Sequence, residues 1–243
     1  MTNQTHKFDA VTDFNTSLDE VETLARVANG FDRLNKQDKR SLILRSAVLF
    51  LGTHLECLFE SIAEEYVYKI ELMQLNRCHL PEKLILSSLQ HNFTDELIKK
   101  VKSGNPRCKE DLVQLAKIIE CDQPVTDINL DTSFSYGKHG SGIVEKLFSR
   151  LDIDDIFDKC IVTTKVESIL SDELEDQEVN IKQKFNALTG IRNGLIHENK
   201  SPNFATFNDI LDDIPHYRAF ATALENLLDG KLSTILENSK TAA

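Results

Sequence analysis

Tryptophan is missing from this chain, and proline and glycine are scarce, at five and nine in 243 residues. So few turn formers argue against a β-rich or low-complexity chain. Phe dominates the aromatics, which leaves little sign of a base-stacking platform. Basic residues are also in deficit, with 28 Lys and Arg against 39 Asp and Glu. That balance excludes a protein that coats nucleic acid indiscriminately, because such binding relies on many cations neutralising phosphates. It leaves open a nuclease with a local basic groove. Five cysteines, at 57, 78, 108, 121 and 160, form no CxxC pair and are odd in number. A disulfide framework or zinc knuckle is therefore not expected, and reduced thiols in a cytoplasmic protein are. The first twenty residues lack the apolar core of a signal peptide. Apolar runs such as Ala47–Leu51 fall far short of the roughly 20 residues that span a bilayer, so no membrane partner is expected. His54, His79, His91, His139 and His216 show no metal-ligand spacing, and neither a metal nor a cofactor is expected.

What the sequence does have is helical periodicity. Leu18, Val21, Leu24, Val27 and Ala28 predict a helix over about 14–34, with Asn15, Thr16 and Ser17 as candidate caps. Val48, Leu51, Leu55, Leu58 and Ile62 step by three and four, predicting one long helix over about 40–75. Gly52 is the one weak helix former in its middle. Pro81 marks another helix start, and Thr94 caps a short one that Gly104, Asn105 and Pro106 break. A further helix is expected from about Lys109 to Glu120, then irregular chain over 122–141. Ser141 is a candidate cap for a helix at 142–150. Residues 171–178 read as an acidic connection, 179–197 as a helix, Ser201-Pro202 as a loop and 215–236 as a last helix opened by Pro215. No stretch alternates with period two. The expected class is all-α: one irregular helical bundle with inserted short helices, residues 1–39 forming an extension and 40–236 the core.

The chemistry-bearing segment is Gly190 to Asn199. Arg192 is followed by the polar Asn193, and His197 lies five positions after the arginine. At about 100° per residue Asn193 and His197 share a helix face, whereas Arg192 points about 140° away from His197. Two arrangements reconcile them: the helix ends between Arg and His, or a second copy of the motif faces the first. A plain helix end also explains the pattern, with His favoured by the C-terminal dipole and Asn or Gly as cap.

Arg-Asn-Gly-Leu-Ile-His near a helix end resembles the R-x4–6-H signature of the HEPN superfamily. Two other segments are similar to RiboL-PSP-type HEPN domains. One is the early helix, whose apolar run leads into Leu55-Glu56. The other is Gly142–Lys159, which reads Ile-x-x-x-Leu-Phe and then Leu-x-Ile-x-x-Ile-Phe. The resemblance covers about residues 40–236. It implies a metal-independent endoribonuclease of the kind found in toxin–antitoxin and antiphage defence systems, acting as a homodimer with two motifs lining one cleft. By that resemblance Arg192 and His197 are the catalytic pair, Asn193 is the polar position, and Glu56 is the acidic residue of the early helix. RNA is the implied substrate and an antitoxin or other defence protein the implied partner; the acidic surface, which suggests weak binding of generic RNA, points to a shaped substrate such as tRNA. A folded domain without activity, serving as a scaffold that binds RNA or a partner, is the alternative.

The residue types suit that chemistry. RNA carries its own nucleophile, the 2′-hydroxyl; His titrates near neutrality and can take or give a proton, and Arg presents a fork to phosphate oxygens. Other charges fall into groups. Arg45 lies eleven residues before Glu56, within about 20° on an ideal helix, so Arg45, Gly52 and Glu56 make one line. That line either faces a cleft, with Gly52 allowing close approach, or is a solvated polar seam. Lys182, Lys184 and Lys200 flank the motif and are candidate RNA contacts with Arg45. A basic run from Lys99 to Lys109 either holds phosphates or is a solvated loop. Residues 152–178 hold ten acids, a surface that repels RNA, docks a basic partner or is simply solvated.

Overall fold

The computed structural model describes residues 7–92, 95–119, 124–125, 128–133, 140–167, 174–197 and 206–241. Over these the chain is all-α apart from one small hairpin. The helices are α1 (Asp9–Arg33), α2 (Gln37–Leu72), α3 (Glu82–Asn92), α4 (Asp95–Lys102), α5 (Arg107–Ile119), α6 (Ser141–Arg150), α7 (Ile156–Lys159), α8 (Ile181–His197) and α9 (Phe207–Thr241). A 3-10 turn at Arg77–His79 precedes α3.

Helix α2 is the axis of the bundle. Its buried residues run from Leu44 to Ile70, and it contacts α1, α6, α8 and α9. Its length and apolarity are what a central helix needs. They also make it long and apolar enough to cross a membrane, with a mean hydropathy of 1.6 over 18 residues. This corrects the expectation drawn from the short uninterrupted runs. Packing on several sides accounts for the composition. α1 lies along α2 and buries Val11, Phe14, Leu18, Val21, Ala25 and Ala28. At the centre, Phe59 of α2 meets Phe148 of α6, Phe157 of α7, Phe185 of α8 and Phe220 of α9 edge-on, at centroid separations of 5.5–6.4 Å. Five helices thus each give one ring to a single cluster, the favoured geometry for aromatic quadrupoles.

Several local expectations are corrected. α1 starts at Asp9, so Asn15, Thr16 and Ser17 lie inside it, and the hydroxyls of Thr16 and Ser17 bond back to the carbonyls of Thr12 and Asp13. The amides that open α1 are satisfied from a distance: Phe8 N–H donates to Glu225 Oε1 at 2.8 Å, and Asp9 and Ala10 N–H to Glu65 at 3.1 Å each. Ser141 does not cap α6 with its hydroxyl. Its own N–H donates to Asn186 Oδ1 of α8, and Asn186 Nδ2 returns a bond to Ser141 Oγ, both at 2.9 Å. Gly140 precedes it with φ of +102°, in the region glycine favours. α9 starts eight residues before Pro215, which lies inside the helix. A reciprocal cap, Thr206 N–H to Asp209 and Asp209 N–H to Thr206 Oγ1, opens it. Residues 163–167 and 174–178 pair antiparallel as β1 (Thr163–Glu167) and β2 (Leu174–Glu178), so part of the acidic connection is a strand. β2 is exposed at every position, which is why no alternation marks it. Thr94, Cys121, His139, Lys200 and the Ser201-Pro202 loop lie outside the described residues.

Candidate active site

The inner stripe of α8 carries Ile181, Phe185, Leu188 and Thr189 against the core. Arg192 lies seven residues after Phe185, so it continues the same stripe and meets α2 rather than solvent. Its Nη1 donates to Glu56 Oε1 at 2.9 Å, and each of the two side chains is only 13% exposed. One turn earlier on α2, a Cβ at Gly52 would stand 2.8 Å from Arg192 Cδ. Bare backbone at 52 therefore seats the arginine stem, and the carboxylate at 56 holds its head. A charged pair this shielded is screened less than a surface pair and fixes the guanidinium in place. The line of Arg45, Gly52 and Glu56 is thus not a fully solvated seam. Gly52 and Glu56 face α8, and Arg45 is half-buried on the same helix.

The rest of the motif points elsewhere. α8 is unbroken from Ile181 to His197, so the helix does not end between Arg192 and His197, and that reconciliation is excluded. His197 is exposed on the last turn. Asn193 is half-buried, and its Oδ1 is sealed from solvent without a hydrogen-bond partner among the described residues. On the same outer side, a Cβ at Gly190 or Gly194 would meet nothing within 4 Å. A single chain brings Arg192 to Glu56 and does not bring Arg192 to His197.

The flanking lysines are partly spoken for. Lys182 pairs with Glu145 of α6, and Lys184 with Asp213 of α9. The hydrogen bond to Glu145 raises the Lys182 ammonium above its usual value. In the basic run, Lys100 binds Asp111 at 3.0 Å. Burial and the nearby Lys184 charge hold His216 below the usual imidazole value. Among the described residues no three His, Cys, Asp or Glu side chains gather as a metal site. The described cysteines 57, 78, 108 and 160 are free thiols.

Sequence reasoning missed a groove of about 540 Å³ between α2, α8 and the first turns of α9. Its acidic residues, Asp209, Asp212 and Asp213, lie in the part of α9 that placing the start at Pro215 left out. The signal that would have found them is Thr206-x-x-Asp209, a capping box by type.

The model of one protein family, RiboL-PSP-HEPN, matches residues 12–230. The match takes in most of α1, which the sequence comparison above left unmatched. No curated protein and no solved structure matches the chain.

Proposed function

This chain belongs to the RiboL-PSP-HEPN family, and on that premise we propose that it is a metal-independent endoribonuclease. In this reading it is a cytoplasmic toxin or effector of prokaryotic antiphage defence, working as a homodimer. The observation that carries the reading is the seat built for Arg192: a glycine and a carboxylate one turn apart on α2 receive the arginine of the family motif. An arginine needed only for solubility would not be given a half-sealed, bidirectionally fitted place.

The reaction needs no external nucleophile. The 2′-oxygen attacks the adjacent phosphorus, its proton passing to one imidazole. The P–O5′ bond breaks as a second imidazole gives a proton to the leaving 5′-oxygen. Guanidinium groups stabilise the extra charge on the phosphorane. The products are a 2′,3′-cyclic phosphate and a 5′-hydroxyl. Two His197 and two Arg192, one pair from each copy, supply a base, an acid and a charge clamp. Within one chain Arg192 and His197 diverge, so this reading needs a second copy whose His197 reaches the α2–α8 seam that holds Arg192. Asn193, next to Arg192, would orient RNA or the partner motif, and Glu56 would hold Arg192.

One observation favours a second reading, a catalytically silent module that binds RNA or a partner. Arg192 is held by Glu56, and Lys182 and Lys184 by carboxylates. The two readings separate in one assay. Purified protein is incubated with total tRNA and mRNA with and without EDTA. The enzyme cuts in EDTA, leaves cyclic phosphate ends and loses activity in His197→Ala. Intact RNA under all conditions, with normal growth on overexpression, supports the module. Cleavage abolished by EDTA would contradict both.

A further inference from the structure

We propose that the helical hairpin of α4 and α5 docks an acidic amphipathic helix of a partner protein. The surface lies on helices other than α2 and α8, which form the Arg192 seat, and the proposal does not rest on the ribonuclease reading.

A turn over residues 103–106 folds α5 back against α4. Asn105 Oδ1 accepts the N–H of Arg107 at the start of α5, and Lys100 Nζ binds Asp111 Oδ2 across the two helices, both at 3.0 Å. The basic run is thus two tied helix ends rather than a solvated loop. On α5, Lys109, Leu112, Val113 and Ala116 follow at i, i+3, i+4 and i+7, the spacing of one helix face, and all four are exposed. Leu112 is 43% and Val113 48% exposed; on α4, Ile98 is 43% exposed and Val101, one turn on, 50%. Water over these aliphatic side chains is released at a gain when an apolar group covers them. A helix laid on such a face presents its own anchors at the same spacing.

The cations decide the charge of the occupant. Between Leu97 and Glu110 the sequence places Lys99, Lys100, Lys102, Arg107 and Lys109 with no acid, in a chain of net charge -11. Lys100 is engaged by Asp111. Lys99, Lys102, Arg107 and Lys109 are exposed and form no ion pair with a described side chain, unlike Lys83, Lys182, Lys184 and Arg218. The dipole of α4 accounts for Lys99 and Lys102 in its last turn. Arg107 and Lys109 stand in the first turn of α5, where the dipole disfavours a cation. Their charge is therefore open to an acid from outside the chain. Aliphatic side chains edged by cations complement a helix that carries apolar anchors flanked by Asp or Glu. A phosphate backbone would leave the aliphatics uncovered. Residues 95–119 include no aromatic, so the hairpin offers neither a stacking surface for bases nor an interfacial anchor for a bilayer.

The probe is an acetylated and amidated peptide of about four helical turns, with Leu at helical spacing and Glu and Ala elsewhere, titrated into the ¹⁵N-labelled full chain. A scrambled peptide of equal composition and a peptide with Lys in place of Glu are controls. Expected are one-to-one saturable binding and amide shifts confined to 97–102 and 107–116. The scrambled peptide should bind about tenfold weaker or less, and the Lys peptide should not bind. Leu112→Gln combined with Val113→Gln, exposed substitutions that keep the helix, should weaken binding about tenfold with the helical circular dichroism retained. Lys109→Glu should weaken it severalfold and reduce its salt dependence. Equal binding by the scrambled peptide or by the double variant would overturn the proposal, as would shifts centred outside the hairpin. The same amides are then followed with tRNA and with phosphatidylserine vesicles. Shifts from either at lower concentration than the peptide needs would overturn the proposal and assign the hairpin to RNA or to a membrane surface.

Discussion

Where a side chain at position 52 would stand, the Cδ of Arg192 passes at 2.8 Å. The two positions are 140 residues apart in sequence and occupy adjoining space. Gly52→Ala tests what that vacancy is for. Alanine gains about 1 kcal/mol of helix propensity over glycine, while its methyl must push the arginine stem aside. These terms oppose, so the melting temperature should move by no more than about 4 °C. Ribonuclease activity should fall by about 10–100-fold, because a guanidinium displaced by about 1 Å no longer meets its target. Equal loss of stability and activity would reduce Gly52 to a packing position.

The Arg192–Glu56 pair is measurable on its own. Glu56→Gln and Arg192→Lys, combined in a double-mutant cycle by urea denaturation, should give a coupling energy of about 1–3 kcal/mol. The low exposure of both side chains is the reason for expecting more than a surface pair provides. A coupling near zero would mean that the carboxylate does not hold the arginine.

A third expectation concerns the clamp between α8 and α6. Asn186 accepts from Ser141 N–H and donates to Ser141 Oγ, tying the motif helix to the helix that carries Phe148. Asn186→Ala removes a helix cap and should cost about 1 kcal/mol. Hydrogen exchange should quicken at the first turn of α6 and leave α1 unchanged.

These contacts show what a sequence can and cannot reveal. Helix identity was readable because stripes such as Val48–Leu51–Leu55–Leu58–Ile62 bury one face, and burial follows spacing. The starts of α1 and α9 differ from the expectation, while α6 starts within one residue of it and differs only in its cap, and the reasons differ. The openings of α1 and α6 are satisfied by Glu65, Glu225 and Asn186, residues no local pattern connects to them. The opening of α9 is local and legible in Thr206 and Asp209, and Pro215, a residue type that suits a first turn, lies inside the helix instead. The hairpin was hidden because β2 faces solvent at every residue and so carries no period-two signal. At the site, the line of Gly52 and Glu56 was visible from spacing alone. The identity of its occupant, Arg192, needed the packing of α8 on α2.

His216 gives a pH expectation. Burial and the Lys184 charge depress its pKa, against the weaker opposite pull of Asp213 and Asp212. A depressed imidazole means that the unfolded chain binds the proton more tightly. The stability it contributes is therefore present above about pH 6.5 and lost as pH falls through the folded value. Between pH 7.5 and 5.5 the urea midpoint of the wild type should drop more than that of His216→Gln. Parallel curves would contradict this assignment.

The central claim is that Arg192 and His197, divergent on one unbroken helix, act together only across two copies. Its most direct test is specific activity on tRNA in EDTA against protein concentration, with the monomer–dimer equilibrium measured by sedimentation in the same buffer. Activity per chain should follow the dimer fraction and vanish as the chain becomes monomeric, at every concentration leaving 2′,3′-cyclic phosphate ends. Constant activity per chain well into the monomer range would contradict it, as would a stable dimer that cuts no RNA.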